Sequence, residues 1–160
     1  MARVERLVFV CAGNICRSPM AEAFFRHLVR DRPLLRDVEV LSAGTIAYRG
    51  NLPQSDSVEI LYEAFGIDMS AHRARPLEAT LRADLVLTMD RETTEEAMAM
   101  FRGRVEMLGD FAGTGEEVGD PYGAPRRAFE QIAQQIRRLV ERAIARLEQD
   151  LTNSETEKPR

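Results

Sequence analysis

Apolar residues along this chain follow two rhythms that alternate from one end to the other. The run "RLVFVC" (Arg6–Cys11) is short and rich in β-branched and aromatic side chains, which predicts a buried strand. Met20, Phe24 and Leu28 then recur at helical spacing, with Ala21 and Phe25 widening the apolar face. Ser18 suits the N-cap of that helix and Pro19 its first position, and Pro33 is expected to stop it. "DVEVLSAG" (Asp37–Gly44) sets Val38, Val40 and Ser42 against Glu39 and Leu41, the alternation of a second strand. Val58, Leu61, Tyr62 and Phe65 lie at i, i+3, i+4 and i+7, and Gly66 fits the end of a second helix.

The pattern continues with a short helical stretch expected from Leu77 to Arg82 and a third strand over Ala83–Met89. A helix from Glu92 to Phe101, ended by Gly103, and a fourth strand over Arg104–Leu108 follow. "GDFAGTGEEVGDPYGAP" is dense in Gly, Asp and Pro and reads as a long loop. The last helix has an unbroken apolar stripe from Phe129 through Ile136 and Val140 to Leu147. Residues after Leu151, "TNSETEKPR", are expected to form a solvated, disordered tail, which places a single domain at 1–150 and a tail at 151–160. No repeat or Gly/Ser-rich linker divides the chain. Strands separated by helices imply an α/β fold of three αβα layers, Rossmann-like, with a four-stranded parallel sheet covered on both faces. In such sheets the ligand crevice lies at the carboxyl ends of the strands, and Cys11 ends the first.

That position gives the segment "CAGNICRSP" chemical interest. Gly13 permits positive φ, and Asn14 tolerates the left-handed region better than most residues. A tight loop of this kind turns successive backbone N–H groups inward as an anion-binding nest. The helix starting near Ser18 adds unpaired N–H donors, and Arg17 adds a planar fork matched to two oxygens of a phosphoryl group. A thiol beside such a cradle is expected to ionise, because helix N-termini and cations favour the thiolate. Cys11 and the cradle then form one site, in which sulfur attacks bound phosphorus to give a phosphocysteine. Ser18 can donate a hydrogen bond to that sulfur. The departing oxygen needs an acid, and Asp120 in "GDPYG" is the best candidate, in the loop before the last helix. Tyr122 beside it offers an aromatic wall.

Each piece has a plainer reading. A cysteine ending a strand is usually a small buried hydrophobe, and Asp-Pro-Tyr-Gly is a common turn. It is their conjunction that is specific. Composition narrows the partners further: the net charge of −4 argues against a general nucleic-acid binder. Two cysteines, Cys11 and Cys16, are a poor disulfide scaffold for 160 residues. They are too few for a structural zinc site, and neither His27 nor His72 completes one, so no metal is expected. No apolar run approaches the ~20 residues that cross a bilayer, and "MARVERLVFV" lacks a signal-peptide layout. A cytoplasmic location without a membrane partner is expected.

"VCAGNICRSPMAE" and "DPYG" together resemble the low-molecular-weight protein tyrosine phosphatase family, a likeness running from about Val4 to Leu147. The resemblance implies that family's phosphotyrosine phosphatase I fold, no cofactor, and hydrolysis of phosphotyrosine in protein substrates. It assigns Cys11 as nucleophile, Arg17 as phosphate clamp and Asp120 as acid/base. Ala12, Gly13, Asn14, Ile15, Cys16 and Ser18 complete the substrate-binding loop, which would hold phosphate or a related oxyanion. Tyr48 and Tyr122 would wall the pocket. Ser42 and His72 match residues that brace the loop asparagine, and Cys16 matches a cysteine that forms a reversible disulfide with the nucleophile.

One position departs from the pattern, and a second separates the chain from a related group. Many members have a second aromatic after the Asp-Pro-Tyr tyrosine, where this chain has Gly123. The related protein-arginine phosphatases often have Gly in that region, but they have Thr where this chain has Ile15. An apolar side chain there packs on an aromatic ring and offers a guanidinium no hydrogen bond, which favours phosphotyrosine. A thioredoxin-coupled arsenate reductase needs further cysteines after Cys16, and there are none. A non-hydrolytic phosphocysteine carrier has no use for Asp120, and a dead binding module would be expected to lack Cys11 or Arg17.

Overall fold

The first apolar run forms strand β1 (Arg6–Cys11) at the interior of a parallel sheet, in a computed structural model that describes residues 3–156. β2 (Glu39–Gly44) pairs along one side of it and β3 (Leu85–Thr88) along the other, with β4 (Val105–Met107) beyond β3. Helices α1 (Arg17–Leu28), α2 (Ser55–Phe65) and α3 (Arg91–Met100) follow the first three strands in turn. A single helical turn, α4 (Leu108–Phe111), and the 31-residue α5 (Arg126–Thr156) close the chain. The strand order β2-β1-β3-β4 reverses direction between β1 and β3. In an open parallel sheet that reversal separates the two following loops and leaves a crevice between them. Cys11 ends β1, and Asp90 follows β3 directly.

Strand alternation sorts β1 between two cores. Leu7, Phe9 and Cys11 face Met20 and Phe24 of α1 and Ile136 and Val140 of α5, while Val8 and Val10 face Val86, Ala97 and Phe101 on the α3 side. All of β1 from Leu7 to Cys11 is buried, as a strand covered on both faces must be. Phe9 meets Phe25 edge to face at 6.1 Å. The expected α/β architecture therefore stands, with helices on both faces of a four-stranded parallel sheet.

Local boundaries differ in five places, each for a traceable reason. Ser18 is not the N-cap of α1; the helix begins at Arg17, and the Ser18 hydroxyl turns inward toward Cys11 and Asn14. Pro33 does not stop α1, which has already ended at Leu28 and passes into turns closed by Arg32 N–H on the Val29 carbonyl. No helix forms over 77–82. Pro76 bridges Gly44 and Leu77 N–H donates to the Gly44 carbonyl at 2.8 Å, which ties the start of the segment to the tip of β2, and a single turn with Leu81 N–H on the Glu78 carbonyl follows. The long loop after β4 opens with the helical turn α4, whose Phe111 is buried beneath the guanidinium of Arg146 at 4.1 Å. The tail expected after Leu151 is helical through Thr156: Thr152 Oγ1 donates to the Glu148 carbonyl, and Gln149 to Asn153, both at 3.0 Å. Arg32 also pairs with Glu148, tying this end of α5 to the turns after α1. Residues 157–160 of the expected tail lie outside the described residues.

The long loop returns on itself so closely that a Cβ on Gly109 would lie 1.8 Å from the Glu116 carbonyl oxygen. Nothing lies within 4 Å of a Cβ on Gly119. Gly109→Ala is expected to lower the urea-unfolding free energy by roughly 2–3 kcal/mol through overpacking. Gly119→Ala should change it by no more than about 1 kcal/mol. Equal effects would contradict the loop geometry.

Candidate active site

Between Cys11 and Arg17 the chain is turned inside out. Its carbonyls are held from outside: Cys11 O accepts from Thr45 N–H at 3.0 Å, Ala12 O from Ile46 N–H at 3.0 Å and Ile15 O from Gln54 N–H at 2.8 Å. The Asn14 carbonyl accepts from His72 Nε2 at 2.8 Å, which fixes the ring as the tautomer protonated on that nitrogen. Among the described residues, the amides of 12–16 donate to no protein acceptor. Carbonyls paired outward leave N–H groups directed at the common centre, the arrangement of an anion nest.

Asn14 fixes the turn. It is the one non-glycine residue with positive φ among the described residues, at 56°, and it is fully buried. Its side chain stabilises that conformation at both ends of the amide: Nδ2 donates to Ser18 Oγ at 2.8 Å and Ser42 Oγ at 3.0 Å, while Oδ1 accepts from Arg75 N–H at 2.9 Å. Because the Ser18 hydroxyl accepts from Asn14, its proton is shared between the nearer Cys11 Sγ, 3.0 Å away, and the Ala43 carbonyl at 3.4 Å. Gly44 lies directly beneath, where a Cβ would come within 2.4 Å of the Ala12 carbonyl oxygen. Only a glycine lets the loop sit this low over β2.

Arg17 is 3% exposed, and its guanidinium is held by one of its two Nη groups. One Nη donates to Asp90 Oδ2 at 2.7 Å and to the Val118 carbonyl at 2.8 Å; the other lies 3.9 Å from Asp120 Oδ2. Burial on its own lowers the Arg17 pKa, but the Coulombic influence of the neighbouring Cys11 and the Asp90 contact outweigh it, and the net shift is upward. Asp90 has two uses. Oδ1 caps α3 by accepting from Thr93 N–H at 2.8 Å, and Oδ2 holds Arg17. Burial opposes its charge, but the Thr93 and Arg17 hydrogen bonds prevail and hold the carboxyl below its ordinary range.

A cavity of about 180 Å³ opens here, lined by Cys11, Ala12, Gly13, Ile15, Cys16, Arg17, Ile46, Gln54, Asp120 and Tyr122. Asp120 is 54% exposed, and its Oδ1 accepts from Tyr122 N–H at 3.0 Å, an Asx turn that leaves Oδ2 toward Arg17. Cys16 faces away from solvent, with Ser57 Oγ donating to its sulfur at 3.2 Å. Burial pushes its thiol up to about 12 despite that hydrogen bond, so it stays protonated beside Cys11.

The structure thus gathers Cys11, Arg17 and Asp120 at one cavity, with Ser18, Asn14, Ser42 and His72 as the brace around the loop. Asn14 and Ser18 are part of that brace and do not line the cavity wall. Tyr48 is 76% exposed and does not line the cavity; Ile46, from the same loop, does. Sequence reading passed over Asp90, Gln54, Ile46 and Gly44. Only Asp90 had a legible signal, an Asp three residues before Thr93 where the third apolar run gives way to a helix. No group of three or more His, Cys, Asp or Glu side chains among the described residues is arranged to hold a metal.

Comparison with known proteins agrees with this geometry. The sequence model of the family described as "Low molecular weight phosphotyrosine protein phosphatase" matches residues 6–153. The chain is 36% identical to "Probable low molecular weight protein-tyrosine-phosphatase EpsP" of Ralstonia nicotianae, over 90% of this chain and 97% of that one. It is 33% identical to the "Protein-arginine-phosphatase" of Bacillus subtilis, again over 90% and 97%. The crystal structure of a low molecular weight protein tyrosine phosphatase from T. tengcongensis superimposes with a TM-score of 0.81 at 35% identity, covering 88% of this chain and 97% of that chain.

Asp90→Ala removes a helix cap and a charged hydrogen bond together, and is expected to cost roughly 2–4 kcal/mol near neutral pH. The Asp90 carboxyl is depressed in the folded state, so its contribution is full above the unfolded carboxylate pKa and is lost as pH falls through the folded value. The stability gap between wild type and variant, followed by urea unfolding, should be constant above about pH 5 and narrow below about pH 4. A gap independent of pH would contradict the ion pair.

Proposed function

The chain belongs to the low molecular weight phosphotyrosine protein phosphatase family, and from that premise we propose that it hydrolyses phosphotyrosine in proteins through a phosphocysteine. The observation that carries this reading is that one sulfur, one buried guanidinium and the loop residues Ala12, Gly13, Ile15 and Cys16, whose amides have no protein acceptor, line a single cavity. In the first step the amides of 12–16 and Arg17 hold the equatorial phosphoryl oxygens, and the Cys11 thiolate attacks phosphorus in line. The ester P–O bond breaks as the P–S bond forms, and protonated Asp120 gives its proton to the departing oxygen. In the second step Asp120, now a carboxylate, takes a proton from water as that water attacks phosphorus. The P–S bond breaks, and sulfur leaves as a thiolate supported by the Ser18 hydroxyl. Phosphate is released, and the protein returns to its starting protonation.

Arg17 links the two halves of this cycle, since it touches the bed beneath the phosphoryl group and the loop that carries the acid. Ile15, Ile46 and Tyr122 give the cavity apolar sides suited to an aromatic ring. Gly123 and the similarity to a protein-arginine phosphatase support the second reading, phosphoarginine, on the same scaffold. Ile15 is the position that favours tyrosine, because it offers a guanidinium no hydrogen bond.

The cavity asks for phosphate or a related oxyanion and a phosphorylated protein, and for no cofactor. A thiolate nucleophile needs reducing surroundings, which supports a cytoplasmic location. No helix among the described residues is long and apolar enough to cross a membrane. Cys16 serves as the redox partner in this proposal. Its high pKa keeps it from competing as a nucleophile in the reduced protein, and a peroxide must first convert Cys11 to the sulfenic acid. Cys16 sulfur then displaces that oxygen as water, closing a disulfide.

Cys11→Ser should reduce turnover of p-nitrophenyl phosphate by roughly a thousandfold or more. Asp120→Ala should slow alkyl phosphates by roughly 10²–10⁴-fold and p-nitrophenyl phosphate, whose leaving group needs little protonation, by clearly less. Equal rates for aryl and alkyl esters before and after the change would remove Asp120 from the acid role. Ile15→Thr, assayed on phosphotyrosine and phosphoarginine peptides side by side, should shift the ratio toward phosphoarginine by about tenfold. An unchanged ratio would show that this position does not set the choice.

A further inference from the structure

Gln54 occupies the N-cap position of α2 but caps nothing: no side-chain hydrogen bond closes that helix end. Glutamine is a poor cap, and a Ser, Asp or Asn there would satisfy an orphan N–H of the first turn. The residue is nonetheless fixed in place, because its own N–H donates to the Ile15 carbonyl at 2.8 Å and its carbonyl accepts from Val58 N–H at 3.1 Å. With the backbone tied to the catalytic loop, the side chain lines the cavity beside Ile15, Ile46 and Tyr122. Its carboxamide has no partner among the described residues. The Tyr122 phenol also both donates and accepts, but from a single oxygen; Gln54 alone in that lining carries an amide, whose donor and acceptor sit on separate atoms as in a peptide unit.

We propose that Gln54 is a specificity residue that pairs with the main chain of the phosphorylated residue and so distinguishes a polypeptide substrate from a small aryl phosphate. The assignment rests on the phosphatase reading and follows by elimination. The loop amides and Arg17 serve the phosphoryl oxygens, and Asp120 serves the ester oxygen. The apolar walls take the ring. What remains polar on a phosphotyrosyl residue is its own peptide groups, and a carboxamide matches a peptide unit donor to acceptor and acceptor to donor. An amide left unpaired in a cavity is also the arrangement that penalises a ligand unable to answer it. The helix forgoes its cap and the cavity gains a reader of main chain.

The test compares phenyl phosphate with N-acetyl-O-phosphotyrosine methylamide, which adds one peptide unit on each side of the same ring. Gln54→Ser supplies a good cap while removing the carboxamide, and Gln54→Ala removes both. With the purified full chain, both variants should lose about fivefold more kcat/KM on the blocked phosphotyrosine than on phenyl phosphate, chiefly through KM. Gln54→Ser should unfold at a higher temperature than Gln54→Ala, which separates the loss of recognition from any loss of stability. Equal losses on the two substrates, or none, overturn the assignment and leave the phosphatase reading intact. A loss confined to a phosphoarginine peptide also overturns it, since the amide would then be reading a guanidinium. Failure of the wild-type chain to hydrolyse any of these esters would instead overturn the phosphatase reading, and this inference with it.

Discussion

The molecule depends on a seven-residue loop whose carbonyls are held from outside. A backbone that pairs its C=O groups with surrounding structure has its N–H groups left over, and where they converge only an anion satisfies them. Thr45, Ile46, Gln54 and His72 supply the outer hydrogen bonds from two different segments, so the loop's shape is set by the fold around it. Asn14 absorbs the resulting strain in a left-handed conformation that its own side chain secures. The cradle therefore exists before any phosphate arrives, and binding need not meet the cost of ordering it.

The rest of the architecture serves that loop. The strand-order reversal between β1 and β3 brings Asp90 to the side of Arg17, and the same carboxylate starts a helix and orients a guanidinium. Val118, buried and bonded to the Met89 backbone, both anchors the following loop and accepts from Arg17. Asp120 sits two residues beyond that anchor, near enough to face the cavity and exposed enough to exchange protons with water. Two neighbouring cysteines are meanwhile placed differently: the Cys11 sulfur lines the cavity 3.0 Å from the Ser18 hydroxyl, while burial pushes the Cys16 thiol up to about 12.

Much of this was legible from residue order because the relevant signals are local. A short run of β-branched and aromatic residues placed Cys11 at a sheet tip, and Cys11, Arg17 and Asp120 could be named from residue type and spacing. What could not be read lies in contacts between distant segments. Nothing near Gln54 in sequence says that its backbone is tied to Ile15, and nothing near Gly44 says that Ala12 passes over it. Ser18 misled because a Ser-Pro pair reads as a cap, whereas the fold needs that hydroxyl at the sulfur. The stretch at 77–82 misled because its composition is helical but Gly44 claims its backbone. The polar run after Leu151 misled because low hydrophobicity reads as disorder, while side chains four residues apart keep the helix going.

The central claim is that the amides of 12–16 form a preorganised anion bed. Its most direct test is a ¹H–¹⁵N correlation spectrum of the full chain titrated with inorganic phosphate. The account predicts that the largest shifts fall on the amides of residues 12–16 and saturate together at one site, with Thr45 and His72 little moved because the outer hydrogen bonds are already made. Shifts spread over the surface, or a loop that becomes ordered only as phosphate is added, would contradict it.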